Sequence, residues 1–226
     1  MTTPPVSDFL AALPRRASAL AALLGVVALA GWSANIDIMR RLLPGAPLIV
    51  PNTALAIILL AATIVLLDGA PDRSRRQLAA VLGALVASFG VLIIVQHGAG
   101  LALPSDVWLF GDRVLAADGN TPGRTARAAG FSFLLLGSAQ FLIAVRDTRH
   151  LEISRSAAAV VLVIALAATV NSVDEAPAVL PLSRLIGMAL PTAIALSVLA
   201  AGTIALRSSH GVMVLFARRG PAGVMA

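Results

Sequence analysis

Six stretches of the chain are apolar without a charged residue in their interior. They run over about 18–34, 51–67, 78–97, 128–145, 157–173 and 190–206. Each approaches the roughly 20 residues that a helix needs to cross hydrocarbon. Backbone N–H and C=O groups in hydrocarbon must be satisfied within the segment, so these stretches predict helices. The polar–apolar alternation of a membrane barrel is not seen in them. The predicted fold class is therefore all-α, a polytopic membrane protein of six transmembrane helices. A polar N-terminal tail (1–17) precedes the membrane domain (18–206), and a second tail (207–226) follows it.

The same pattern contains a repeat. "PNTALAIILLAATIVLL" (51–67) matches "PTAIALSVLAAGTIALR" (191–207), with Thr53 against Thr192. A weaker copy, "RAAGFSFLLLGSAQFLIA" (127–144), has Ala129 in the threonine's place. Each copy opens an even-numbered stretch and follows a loop with Pro and Gly. The chain thus divides into three tandem helical-hairpin repeats, about 18–67, 78–145 and 157–206. The first N–H groups of a helix lack partners within it. Pro51 and Pro191 suit a first turn, and Asn52, Thr53 and Thr192 are expected to cap by accepting from those N–H groups.

Charge sets the orientation. With the N-terminus in the cytoplasm, the inner segments hold eleven arginines against five acidic residues, and the outer loops six against six. The net charge of +6 then lies on the inner face, as the positive-inside rule requires. This predicts the inner (cytoplasmic) cell membrane with both termini cytoplasmic. Anionic lipid headgroups suffice as partners for the basic face, and no nucleic acid is needed. The inner loops "DGAPDRSRRQ" and "DTRHLEISRS" are tight. The outer loops are longer and partly apolar, and each has room for a short amphipathic piece. Trp32 and Trp108 fall near the outer boundary, where indole rings are favoured. The first apolar stretch is expected to stay as an anchor, since no small-residue cleavage site clearly ends it.

Composition narrows the chemistry. Hydrophobic residues are 58% of the 226 and charged residues 12%. Cysteine is absent, which excludes disulfides, thiolate metal sites and Cys nucleophiles. No charged residue lies inside a stretch, which argues against proton relays and ion-coupled transport. The chain carries three histidines, none beside a plausible nucleophile, so no catalytic residue, metal site or cofactor is expected. Gln96, His97, Gln140 and Asn171 are the candidate ligand pocket; the competing reading is hydrogen bonding between helices, with His97 as a structural residue. Asp106, Asp112, Asp118 and Asn120 in the long outer loop match no calcium-loop spacing. "ALAGWSA", "LGALVAS" and "ALAATV" are dense in small residues that let helices approach closely.

The segments "LLPGAPLIVPNTALAIILL", "FGDRVLAADGNTPGRTARAAGFSFLLLG" and "GMALPTAIALSVLAAGTIAL", with the tail "SSHGVMVLFARRGPAGVMA", resemble the N-terminal membrane region of bacterial sensor histidine kinases and diguanylate cyclases. The resemblance covers roughly residues 20–220. It implies a membrane input or scaffold module for two-component or cyclic-di-GMP signalling. Its output parts are not matched here: His210 lacks the acidic neighbour of a phosphoacceptor, and no ATP-binding or cyclase region follows. A non-catalytic sensory or regulatory module is therefore expected, acting as a homo-oligomer or on a partner through the C-terminal tail. The alternatives are an accessory structural subunit of a larger membrane complex and, behind it, a small-molecule carrier.

Overall fold

Three helices begin where their apolar stretches begin, to within a residue, and three begin five or more residues earlier. The computed structural model describes residues 6–44, 46–117, 122–145, 150–173 and 187–206. Helix α1 spans Val6–Ala34 with Pro14 inside it. Most of the segment expected as an N-terminal tail is thus helical, and the Arg15–Arg16 pair lies within the helix. The short α2 (Asp37–Arg41) follows, then α3 (Pro51–Leu67), whose bounds coincide with the second apolar stretch. Helix α4 spans Arg73–Ala99. Asp72 caps it, accepting from the Arg75 backbone N–H at 2.8 Å, and Gly100 closes it in the left-handed conformation, φ 67°. A 3₁₀ turn (Pro104–Val107) and α5 (Gly111–Ala116) occupy the long loop after α4. Helices α6 (Arg127–Val145), α7 (Leu151–Val173) and α8 (Leu190–Ala205) complete the order. No strand occurs among the described residues.

Among the described residues four helices are long and apolar enough to cross a membrane: Ala11–Ala34 of α1, α4, α6 and Leu151–Ser172 of α7. The other two apolar helices, α3 and α8, have 17 and 16 residues. At 1.5 Å per residue they reach about 25 Å, short of the roughly 30 Å of hydrocarbon.

Their packing accounts for the shortness. The helices form a closed ring in the order α1, α3, α4, α6, α7, α8, with α8 back against α1. Within it α3, α6 and α8 also touch one another. These three form an inner bundle, and α1, α4 and α7 lie outside it. The inner helices bury residues in heptad steps of four and three. Ile57, Leu60, Ile64 and Leu67 in α3 correspond in register to Phe133, Leu136, Gln140 and Ile143 in α6. The same register in α8 is held by Leu196, Leu199 and Thr203, then Leu206 at its end. Each outer helix buries one stripe, such as Ala17, Ala21, Ala28 and Trp32 in α1 or Ala158, Val161, Ala165 and Ala168 in α7. Their opposite faces expose Leu23, Val26, Leu85, Val95, Val163 and Val170. An apolar belt of this kind suits lipid and not water.

The tightest contact joins α4 to α6. A Cβ on Gly83 would lie 2.9 Å from the Phe141 backbone N, and one on Gly137 2.6 Å from the Ala87 N. One on Gly90 would run into the Leu134 backbone. The two backbones touch because these positions have no side chain. Most hydroxyls serve their own helix. Thr63, Ser132, Thr169, Ser172 and Ser197 donate to the carbonyl four residues back. The bridging role expected of the polar residues falls to Gln140, which donates to Thr203 Oγ1 at 3.1 Å.

Candidate functional site at the outer ends of the inner helices

The expected caps do not cap. Helix α3 has Val50 at its N-cap and α8 has Ala189, and neither end receives a side-chain capping bond. Pro51 and Pro191 do lie in the first turns. Asn52 turns outward instead. Its Nδ2 donates to the Ser105 carbonyl at 2.7 Å, and its Oδ1 accepts from Trp108 Nε1. The Thr53 hydroxyl shares a hydrogen bond of 3.1 Å with that of Thr125. These residues lost the capping role because better-placed partners lie across the loop, 53 to 72 residues away in sequence.

The loop between α4 and α6 is fastened at both ends. His97 Nε2 bonds the Thr125 carbonyl at 2.8 Å, and its Nδ1 accepts from Arg127 Nε at 3.3 Å. In this arrangement Nε2 donates to the carbonyl and Nδ1 accepts from the guanidinium. Gln96 Nε2 donates to Asp106, whose carboxylate also accepts from the Leu103 backbone N–H at 3.3 Å. Arg124 donates to the Gln96 carbonyl at 2.8 Å. Gly123 closes the turn with φ 72°, and a side chain there would strike the Asp106 backbone. On the other side Arg113 donates to the Trp32 and Ser33 carbonyls, binding α5 to the end of α1.

Trp32, in the last turn of α1, faces the protein interior. It is buried, its Nε1 donates to the Ile49 carbonyl at 2.8 Å, and the Arg40 guanidinium lies 4.7 Å from the ring centre. Trp108 is 63% exposed.

The four candidate pocket residues do not converge. Gln96 and His97 end α4, whereas Gln140 lies thirteen residues along α6 from Arg127, about 20 Å by helical rise. Asn171 is exposed near the end of α7. Asp118, Asn120, His210 and the C-terminal tail lie outside the described residues. Among the described residues no group of three or more acidic or His side chains is placed to hold a metal.

Cavities at this level include two that border the inner helices. One, of about 240 Å³, opens between α3 and α4. Leu59, Leu85, Phe89 and Leu92 form its apolar walls, and Asn52, Ser105 and Trp108 its roof. The second, of about 160 Å³, lies where the inner helices begin. It is lined by Val50 and Thr53 of the α3 start, Ala126 and Ala129 at α6, and Ala189 and Thr192 at α8. These are the same two register positions, three residues apart, from each copy of the sequence motif. Arg124 is the charged residue of its wall. The Thr53–Thr192 match in the sequence pointed to this place, but as caps; Arg124 carried no sequence signal beyond its position in the loop. Comparison with family models, curated proteins and solved structures finds no match to this chain.

Proposed function

We propose that the chain is a six-span module of three tandem helical hairpins in the inner membrane, with both termini cytoplasmic. It acts without catalysis, as a sensory or regulatory unit whose outer face receives the input. The carrying observation is the central cavity: first-turn positions of all three inner helices line one space. The closed ring and the shared heptad register support the repeat. The short helices α3 and α8 fit as spans because longer helices flank them: α1, α4 and α6 around α3, and α1, α6 and α7 around α8.

The mechanism follows from that geometry. Whatever occupies the outer ends of α3, α6 and α8 changes how they pack. The change is carried down the layers to Leu67, Ile143 and Leu206 at the inner ends. An input can shift this packing only by binding two arrangements with different affinity.

The natural absence of cysteine makes the test direct. A Leu206→Cys reporter is labelled from the inner side, in the full chain and in one whose residues 103–117 are replaced by a Gly-Ser linker. The labelling rate is expected to change several-fold. An unchanged rate would sink the coupling. A phosphatase fused at residue 72 is expected to be inactive, and activity there would reverse the topology. A stoichiometric partner that co-purifies, with no response to the loop replacement, would mark a structural subunit instead.

A further inference from the structure

We propose that the central outer cavity is a binding site for a small carboxylate, held by Arg124 and the first turns of α3 and α8. This rests on the reading of the outer face as the input side, and names the chemistry that the site takes.

The charge in the cavity wall is uncompensated. Arg124 spends one N–H on the Gln96 carbonyl. Its Nε is buried and has no partner, and no carboxylate pairs with it among the described residues. Among the described residues no acidic side chain lines the cavity. Arg124 is part-buried, and a partly desolvated guanidinium gains from an anion beside it. A carboxylate in the cavity can accept from the remaining terminal N–H groups of the guanidinium.

A second polar group faces the same space. Thr192 is 2% exposed and lines the cavity, and its hydroxyl makes no hydrogen bond among the described residues. It stands in the first turn of a helix whose N-cap is Ala189, a residue with nothing to offer the free N–H groups. Helix α3 begins with Val50 in the same state. Two uncapped N-termini therefore present partial positive charge to one cavity, the condition under which helix starts bind anions.

Size and walls limit the ligand. About 160 Å³ is below the roughly 300 Å³ where sites for drug-sized ligands begin. Only a molecule of a few heavy atoms fits. Ala126, Ala129, Ala189 and Met188 leave its far side apolar, which suits a short hydrocarbon tail and disfavours a fully hydrated anion.

The experiment uses the purified full chain in neutral-lipid nanodiscs. Thermal unfolding is followed against sodium butyrate, inorganic phosphate and chloride at matched ionic strength. Butyrate is expected to raise Tm saturably, and chloride to leave it unchanged. Arg124→Gln should raise the half-saturating butyrate concentration at least tenfold, and Thr192→Val, which keeps the shape, several-fold. If Arg124→Gln does not fold, Thr192→Val decides alone. The proposal is overturned if butyrate has no saturable effect, or if Thr192→Val matches the unaltered protein. It is also overturned if phosphate saturates and butyrate does not. Nanodiscs with phosphatidylglycerol add one arm: abolished butyrate binding there would assign the site to a lipid headgroup and overturn the small ligand. Butyrate binding without any change at the Leu206→Cys reporter would retain this site and sink the coupling. A responsive reporter without butyrate binding would do the reverse.

Discussion

The inner trio α3, α6, α8 and the outer trio α1, α4, α7 are built from nearly the same amino acids and solve different problems. The outer helices bury one stripe and give the rest to lipid, so they must be long and apolar all along. The inner helices are enclosed by protein, so they are free to be short and to carry polar side chains at chosen layers. Thr53 and Thr192 mark the outer layer and Gln140 with Thr203 an inner one. Hydrophobicity locates both kinds of helix, but enclosure separates them. The shared chemistry of a membrane protein therefore lies in the outer trio, and its individuality in the inner one.

The comparison breaks most completely where the two trios touch backbone to backbone. Gly90→Leu would drive a side chain into the Leu134 backbone of α6. It should cost more than about 4 kcal/mol and leave little folded protein in detergent by size-exclusion chromatography. A sharper test pairs two truncations of similar chemistry. Phe133→Ala in the inner trio removes a fully buried ring and should cost about 3–5 kcal/mol. Leu85→Ala on an outer helix is more than half exposed and should change stability by less than about 0.5 kcal/mol in lipid. Equal losses in denaturant unfolding would erase the distinction between the trios.

Asn52→Ala tests the loop rather than the bundle. It strips the Ser105 carbonyl and the Trp108 indole of their partners, at an expected cost of about 1–3 kcal/mol. Amide exchange should quicken over 101–117 and stay unchanged in α7. The smallest effect belongs to Gln140→Leu. The Gln140 carbonyl oxygen is buried without a partner, so its removal should offset the lost bond to Thr203. Stability should stay within about 1 kcal/mol of the unaltered protein, and a larger fall would show that the polar layer holds the trio together.

The helices were visible in the sequence because hydrocarbon demands uninterrupted apolar runs. Every apolar stretch overlaps a helix, and the bounds of α3 agree to the residue. The start of α1 was hidden because Pro and Arg in "LPRRAS" suggest a break, whereas Pro14 is absorbed inside the helix. The distinction between inner and outer helices was weaker in the sequence, since it depends on which neighbours enclose a helix. The site was only half visible. The Thr53–Thr192 correspondence was there, but an Asn-Thr pair after proline looks the same whether it caps or reaches across a loop. Asn52 reaches across, because the 3₁₀ turn brings Ser105 and Trp108 over it. Gln96, His97, Gln140 and Asn171 were grouped as polar residues near spans, without the depth coordinate that separates Gln140 from the helix ends.

The closure of the ring has a consequence for biosynthesis. A side chain added at Gly202 of α8 would touch Ala17 of α1, so α1 seals against a helix made much later. At roughly 5–20 residues per second, about 10–40 s of translation separates the two. Through that interval the buried stripe of α1 has α2 and α3 for company. The small alanines along it leave little for a stray helix to grip, and the seam stays open for the partner that arrives later.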